Sequence, residues 1–255
     1  MNKFLILIES FRILKNWYIL PLVYFKIYKK PNYILNLKNG LKIKLRNNST
    51  DIFVFTNIWI IKEYTKIFSF SNETVIDVGA HIGIFSLYAW KNNVKRIFAY
   101  EPIKENWDLF KENMMLNNIN NVKCENIAVY DSRQEVEICF NQDFAAHSII
   151  KKEGEIRKVK SIPLKKIFDE EPIQKCDILK LDCEGSEYKI LGELPDEYFH
   201  KIKKICLEYH IFNKEKNLLE ELNEKLERLG FSIELIPNYE DMGMLYATSS
   251  KNSEK

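Results

Sequence analysis

An α/β fold built on a doubly wound, mostly parallel sheet, with a helical and hairpin appendage at its N-terminus, is what this sequence predicts. Three observations predict it. Strand-like and helix-like segments alternate from residue 74 onward. A strand runs through a short glycine turn straight into a helix at VIDVGAHIGIFSLYAW, residues 75–90. With 255 residues, 46% of them hydrophobic, the chain can bury one substantial core plus a small appendage, and no linker separates two large domains.

Residues 1–48 form a basic, aromatic arm. The stretch FLILIESFRILKNWYILPLVYFKIYKK has the look of an export signal, but Glu9 and Arg12 interrupt it and no small-residue cleavage site follows. Its longest uncharged run, 16–25, contains Pro21 and reaches about half of the roughly 20 residues that span a bilayer. Residues 1–30 therefore read either as a peripheral membrane contact or as a helix packed on the body or in an oligomer interface. Residues 33–46 read as a hairpin, with Asn39 and Gly40 as two positive-φ turn residues.

The body, 49–248, comes next. Ile52, Phe55, Trp59, Ile60 and Tyr64 fall at near-helical spacing over 50–68, with Ser49 and Thr50 as candidate caps. A strand at 74–79 leads to a helix at 83–91, a strand at 95–101, a helix at 104–117 and a strand at 122–129. Strand-like 134–140 and 157–162 precede a strand at 177–182, a short helix at 187–192, a strand at 203–209 and a helix at 214–229. A final pair, 231–236 and 244–248, predicts a hairpin that places one antiparallel strand at the sheet edge. The polar tail 249–255 reads as disordered.

Charge is unevenly spread. Residues 1–48 hold ten Lys/Arg and one acid, a charge of +9, which leaves −7 on the rest of a chain totalling +2. A basic arm on an acidic body suits an anionic partner for the arm and argues against a phosphate-tracking surface on the body. The five cysteines are scattered and none forms C-x-x-C, which reads as a reduced, cytoplasmic protein, at most attached to the inner face of the membrane.

The turn at 77–83 limits the cofactor. No Lys follows Gly83, so it is not a P-loop, and His81 and Ile84 stand where a dinucleotide turn needs glycine. D-x-G-x-H-x-G remains: Asp77, Gly79, Ala80, His81, Gly83. A carboxylate at Asp77 repels a pyrophosphate and suits an ammonium or sulfonium group. Gly79 permits a sharp turn, and Gly83 permits the helix to start close to the sheet. Glu101, 24 positions on, ends the second strand, where an acid accepts hydrogen bonds from ribose hydroxyls. Either acid alone is also consistent with a cap or turn residue. The pair points to S-adenosylmethionine (SAM).

The chain resembles class I SAM-dependent methyltransferases, and more narrowly the FkbM family, over residues 46–236. LRNNSTDIFVF, VIDVGAHIGIFS, AYEPIKENWDLFKENMMLNN, DILKLDCEGSEYKILGE and ICLEYH carry the resemblance. It implies a seven-stranded, Rossmann-like methyltransferase sheet and O-methylation, with sugars or natural-product scaffolds as frequent acceptors.

Methyl transfer to a hydroxyl needs alignment, exclusion of water and a proton acceptor at the C-terminal ends of the strands. Asp182 is the first candidate, as base or as holder of the cofactor's amino group. Glu184 and His210 are further catalytic candidates. A divalent metal shared by Asp182 and Glu184 is an alternative but not the expectation. Glu187 reads as a first-turn helix acid or a site residue, and His147 as loop surface or acceptor contact. Pro102 and Ile103 are expected to flank the adenine, with Asn126 and Ala128 near its edge. Asp51 and Phe55 read either as a cover over the cofactor or as helix packing. The expected acceptor is a small molecule, glycan or glycolipid. A nucleic-acid methyltransferase and a catalytically silent scaffold are the alternatives. LDCEGS stands where a base N-methylase often shows [DN]-P-P-[YF], so no nucleic-acid partner is expected.

Overall fold

The computed structural model describes residues 3–65, 70, 72–132, 134–140, 155–211 and 216–250. Helices α1 (Lys3–Ile13) and α2 (Ile19–Tyr24) lead into the hairpin β1 (Asn32–Asn36) and β2 (Lys42–Arg46). Then come α3 (Asp51–Phe55), β3 (Thr74–Val78), α4 (Ile84–Lys91), β4 (Arg96–Tyr100), α5 (Lys104–Leu116) and β5 (Val122–Glu125). The chain continues through β6 (Ala128–Tyr130), β7 (Glu135–Phe140), β8 (Glu155–Pro163), α6 (Leu164–Glu170) and β9 (Cys176–Leu181). It closes with α7 (Glu187–Glu193), α8 (Asp196–Phe199), β10 (Ile202–His210), α9 (Lys216–Arg228), β11 (Phe231–Pro237) and β12 (Met242–Ser249).

Seven strands form the main sheet in the order β11-β12-β10-β9-β3-β4-β5. Its inner strands are apolar on both faces, as a sheet covered by helices on each side requires. Val75, Ile97 and Ala99 face α4 and α5, while Ile76, Val78 and Leu179 face the layer that includes α7 and α9. The final hairpin differs from expectation in one respect. The antiparallel strand is β12, which sits inside the sheet between β10 and β11, so the edge strand β11 runs parallel to the others.

Other boundaries differ as well. The strand expected at 122–129 breaks at 126–127, because the Asn126 side chain donates to the carbonyls of Glu101 and Pro102, both at 2.9 Å. Beyond the break, β6 pairs with β8 in a separate three-stranded sheet, order β6-β8-β7. The helix expected at 50–68 is α3 followed by a π-helical stretch, Thr56–Ile61, and a short 3-10 turn, Glu63–Thr65. Ser249 closes β12 and the Ser250 amide donates to the Gly230 carbonyl, so these two residues of the expected tail are held by the body; residues 251–255 and His147 lie outside the described residues.

The N-terminal hairpin belongs to the body. Of its turn residues only Gly40 takes positive φ (97°), and Asn39 instead accepts the Leu41 amide on its side-chain oxygen. Leu14, Leu35, Leu37, Ile43 and Leu45 are all at most 1% exposed. At about 2 kcal/mol each, their burial is comparable with the net stability of a whole domain, so the hairpin does not detach as an arm. The outer edge of β2 is covered by two asparagines four residues apart, one in α5 and one capping its C-terminus. Asn113 accepts the Lys44 amide at 2.7 Å and Asn117 the Lys42 amide at 2.8 Å, and each side-chain amide donates back to the same strand.

Candidate functional site

A cleft opens where β3, β4 and β9 end, walled by the turns that follow them. The register aligns Asp77 with Ala99 and Lys180, and Val78 with Tyr100 and Leu181. The residues that follow these last three are Gly79, Glu101 and Asp182, and all three line the cleft. Gly79 turns at φ 73°, its amide bonded to the Tyr100 carbonyl at 3.0 Å. A Cβ there would lie 1.9 Å from the Asp182 carbonyl oxygen, so only glycine lets the two turns meet. Gly83 does not reach the cleft. Its missing Cβ would lie 2.8 Å from the Phe110 ring, so it permits α4 to approach α5 rather than the sheet.

Glu101 is 4% exposed, and its carboxylate is held in place by backbone. Oε2 accepts the His81 amide at 2.8 Å and Oε1 the Ile103 amide at 2.9 Å. Burial outweighs these bonds and pushes its pKa up to about 7. Ala80, His81, Pro102, Ile103 and Ala128 line the same cleft. Asn126 does not; its side chain is spent holding the turn after Glu101.

Asp77 stands apart from these residues. It is fully buried inside the strand ladder, two residues short of the turn glycine, and it does not line the cleft. Ser86 donates to its Oδ2 at 2.7 Å, and Lys180 Nζ lies 3.2 Å from Oδ1. The cation beside Asp77 is thus a lysine of this chain, a residue that sequence reasoning missed although it stands within DILKLDCEG. Lys180 also donates to the Gly79 carbonyl at 2.7 Å and lies 3.7 Å from Asp182 Oδ2. Burial works against its charge, but the two carboxylates overcome this and hold its pKa above the usual lysine value. Asp182 Oδ2 also accepts a hydrogen bond from the Tyr64 hydroxyl at 2.8 Å.

Glu184 lines the cleft at φ 53°. Burial raises its pKa to about 7, against the opposing pull of His210. His210 lies behind it, outside the cleft wall, with Nε2 3.3 Å from Glu208 and 3.7 Å from Glu184. Burial disfavours its charge, but the carboxylates prevail and lift its pKa to about 9. A histidine held in its charged form has no lone pair for a substrate proton, and His210 stands outside the residues that line the cleft. Glu187 is the first residue of α7, the position of a first-turn helix acid; it is fully buried and accepts the Cys183 amide at 2.6 Å, so it also holds the LDCEGS turn. Among the described residues, no group of three or more His, Cys, Asp or Glu side chains is placed to hold a metal ion.

A second network fixes the other wall. Arg46 grips Asp51 with Nη2 at 2.7 Å and Nε at 3.0 Å, and its Nη1 donates to Asn106 at 2.8 Å. Its Nη2 also lies 3.0 Å from His81 Nε2. The ring of His81 therefore answers to Arg46 and does not cap α4. Burial and Arg46 drive its pKa down to about 4, so it is neutral, with its proton on Nδ1 if Arg46 is the donor. Asp51 and Phe55 are both fully buried; Phe55 stacks on Trp59, and the cover of the cleft comes from Val54 and Ile58 instead.

The chemistry of these groups suits SAM. Among the described residues on the cleft wall, Glu101, Asp182 and Glu184 outnumber the one lysine, Lys180, which suits a donor carrying sulfonium and ammonium charge. Glu101 keeps lone pairs beyond its backbone bonds for a ribose hydroxyl, and His81 Nδ1 is buried without a hydrogen-bond partner.

The model of the methyltransferase FkbM domain matches residues 77–233. A curated relative, Methyltransferase 1 of Beauveria bassiana (strain ARSEF 2860), is 24% identical over 179 residues, 61% of this chain and 72% of that protein. Among solved structures, a SAM-dependent methyltransferase from Streptococcus mutans has a TM-score of 0.51 at 12% identity, over 87% of this chain and 56% of that one. A methyltransferase in complex with SAH gives 0.50 at 12%, over 87% and 57%. At such identity the likeness to solved structures is one of fold.

Proposed function

The chain belongs to the FkbM methyltransferase family, and we propose that it uses SAM to O-methylate a hydroxyl group on a glycan, a glycolipid or a secondary metabolite. One observation carries this reading: two acids, Glu101 and Asp182, flank the Gly79 turn in a single cleft at the C-terminal edge of the sheet. When bound, SAM supplies an activated methyl group on a good leaving group. Glu101 takes the ribose hydroxyls. The Gly79–Ala80 turn sets the backbone close beside the cofactor. Asp182, steadied by Tyr64 and Lys180, would orient the acceptor hydroxyl and take its proton on the carboxylate, while the methyl group leaves the sulfonium sulfur for the acceptor oxygen. The five cysteines are all free, which supports a reduced, cytoplasmic setting.

The test is to incubate the protein with methyl-labelled SAM and separate glycan, lipid, small-metabolite and RNA fractions of cells. Label is expected in a glycan, lipid or metabolite fraction, as an ether that survives alkali, and is expected to vanish with Asp182→Asn. Label in RNA alone, or none in any fraction from protein that binds SAM, would overturn the acceptor class.

A further inference from the structure

Residues 19–30 are built in a way that neither the core nor the cleft uses. Helix α2 reads ILPLVY, entirely apolar, yet none of its residues is buried. Ile19, Leu20 and Val23 touch the core with one side. Beyond them the chain turns outward. Tyr24, Phe25 and Ile27 are 64%, 68% and 61% exposed, a cost that an isolated soluble domain has no reason to bear.

The turn is held in this shape. Phe25 and Lys26 amides bond to the carbonyls of Pro21 and Val23, and Ile27 and Tyr28 amides both bond to Leu22. Lys26 takes φ 56°, an uncommon conformation for a residue with a Cβ. Asn47 ties the far end, its side-chain amide donating to the carbonyls of Tyr28 and Lys30. Tyr24 and Phe25 pack edge to face, with ring centres 5.2 Å apart. Around this apolar tip Lys26, Lys29 and Lys30 are all exposed. Residues 1–30 hold six Lys/Arg against one acid, and that acid, Glu9, is paired with Arg12 at 2.5 Å.

We propose that the turn at 24–30 docks on an anionic lipid surface, with Tyr24, Phe25 and Ile27 in the headgroup boundary and the three lysines on lipid phosphates. Charge decides between occupants. A second copy placed by two-fold symmetry would set the same basic rim against itself, whereas an anionic bilayer complements it. No helix among the described residues is long and apolar enough to cross a membrane, so the contact is a surface one. The proposal does not depend on which hydroxyl is methylated, and its test reads no activity.

Full-length protein is floated with vesicles of phosphatidylcholine alone or mixed with phosphatidylglycerol, at low and at high salt. The protein is expected to float with the anionic vesicles at low salt only. Removing each lysine weakens the attraction about fivefold, so a triple Lys26→Gln, Lys29→Gln, Lys30→Gln variant is expected to lose about two orders of magnitude in partitioning. Tyr24→Ser with Phe25→Ser is expected to abolish flotation while circular dichroism and SAM binding stay unchanged. Wild-type protein that stays unbound at low salt overturns the proposal. So does a concentration-dependent dimer, seen by light scattering, that the serine variant dissolves.

Discussion

Replacing Lys180 with Met separates a structural role for Asp77 from a cofactor-gripping one. In the wild type, Asp77 is 0% exposed, with Ser86 at 2.7 Å and Lys180 at 3.2 Å as its partners. The Met side chain has similar length but no charge. It strands a buried carboxylate, which costs about 3–5 kcal/mol, and it removes the donor to the Gly79 carbonyl, about 1 kcal/mol more. Against a typical net stability of roughly 5–15 kcal/mol, the variant should be marginal. Adding Asp77→Asn removes the stranded charge and should recover about 2–3 kcal/mol, a strong positive coupling. The assay is urea unfolding followed by circular dichroism at pH 7.5, on the two single variants and the double. Folded Asp77→Asn protein should bind SAM within about threefold of wild type, a change below 1 kcal/mol. A Lys180→Met cost under about 1 kcal/mol, or an Asp77→Asn change that worsens it, would refute the buried pair. A large loss of SAM affinity in folded Asp77→Asn would return Asp77 to the cofactor.

Two further outcomes are fixed by the geometry. Gly79→Ala forces a Cβ to within 1.9 Å of the Asp182 carbonyl at φ 73°; the conformation alone costs about 1–2 kcal/mol, so calorimetry should find SAM binding abolished and the melting temperature lowered, and normal binding would count against the close approach of β3 and β9. Glu187→Gln tests the buried acids: burial raises the folded pKa of Glu187 from 4.5 to about 7, so the stability of its protonated form is complete below about pH 4.5 and is lost as pH rises through 7. The variant should therefore exceed wild type by up to about 3 kcal/mol at pH 8 and match it near pH 4.5, and a thermal-melt series showing the same difference at both ends would contradict the shift.

Much of the sheet was legible because each strand is an apolar run closed by a turn, and the glycine turn at 77–83 marked the strand end where the cleft opens. Spacing in sequence does not report register, however. Asp77 and Glu101 both stand near strand ends, yet the ladder sets Glu101 level with Gly79, and the two-residue offset buries Asp77. The same limit hid Lys180, whose partner is on another strand. Arg46 and His81 are 35 residues apart and meet only because the hairpin packs beside α5. Asn126 reads as a strand residue until its side chain is seen to hold the turn at Glu101. His210 illustrates a different limit: Glu208 stands two residues before it on the same strand, but Glu184 comes beside it only once β10 and the LDCEGS turn are placed together.

The most direct measurement is calorimetric titration of SAM into wild-type protein and into Glu101→Gln. Wild-type protein is expected to bind one SAM per chain. The variant, still folded by circular dichroism, is expected to lose a charge-assisted hydrogen bond of about 1.5–3 kcal/mol, a weakening of roughly tenfold to 150-fold. No heat from folded wild-type protein, or an unchanged affinity in Glu101→Gln, would contradict the placement of the methyl donor in this cleft.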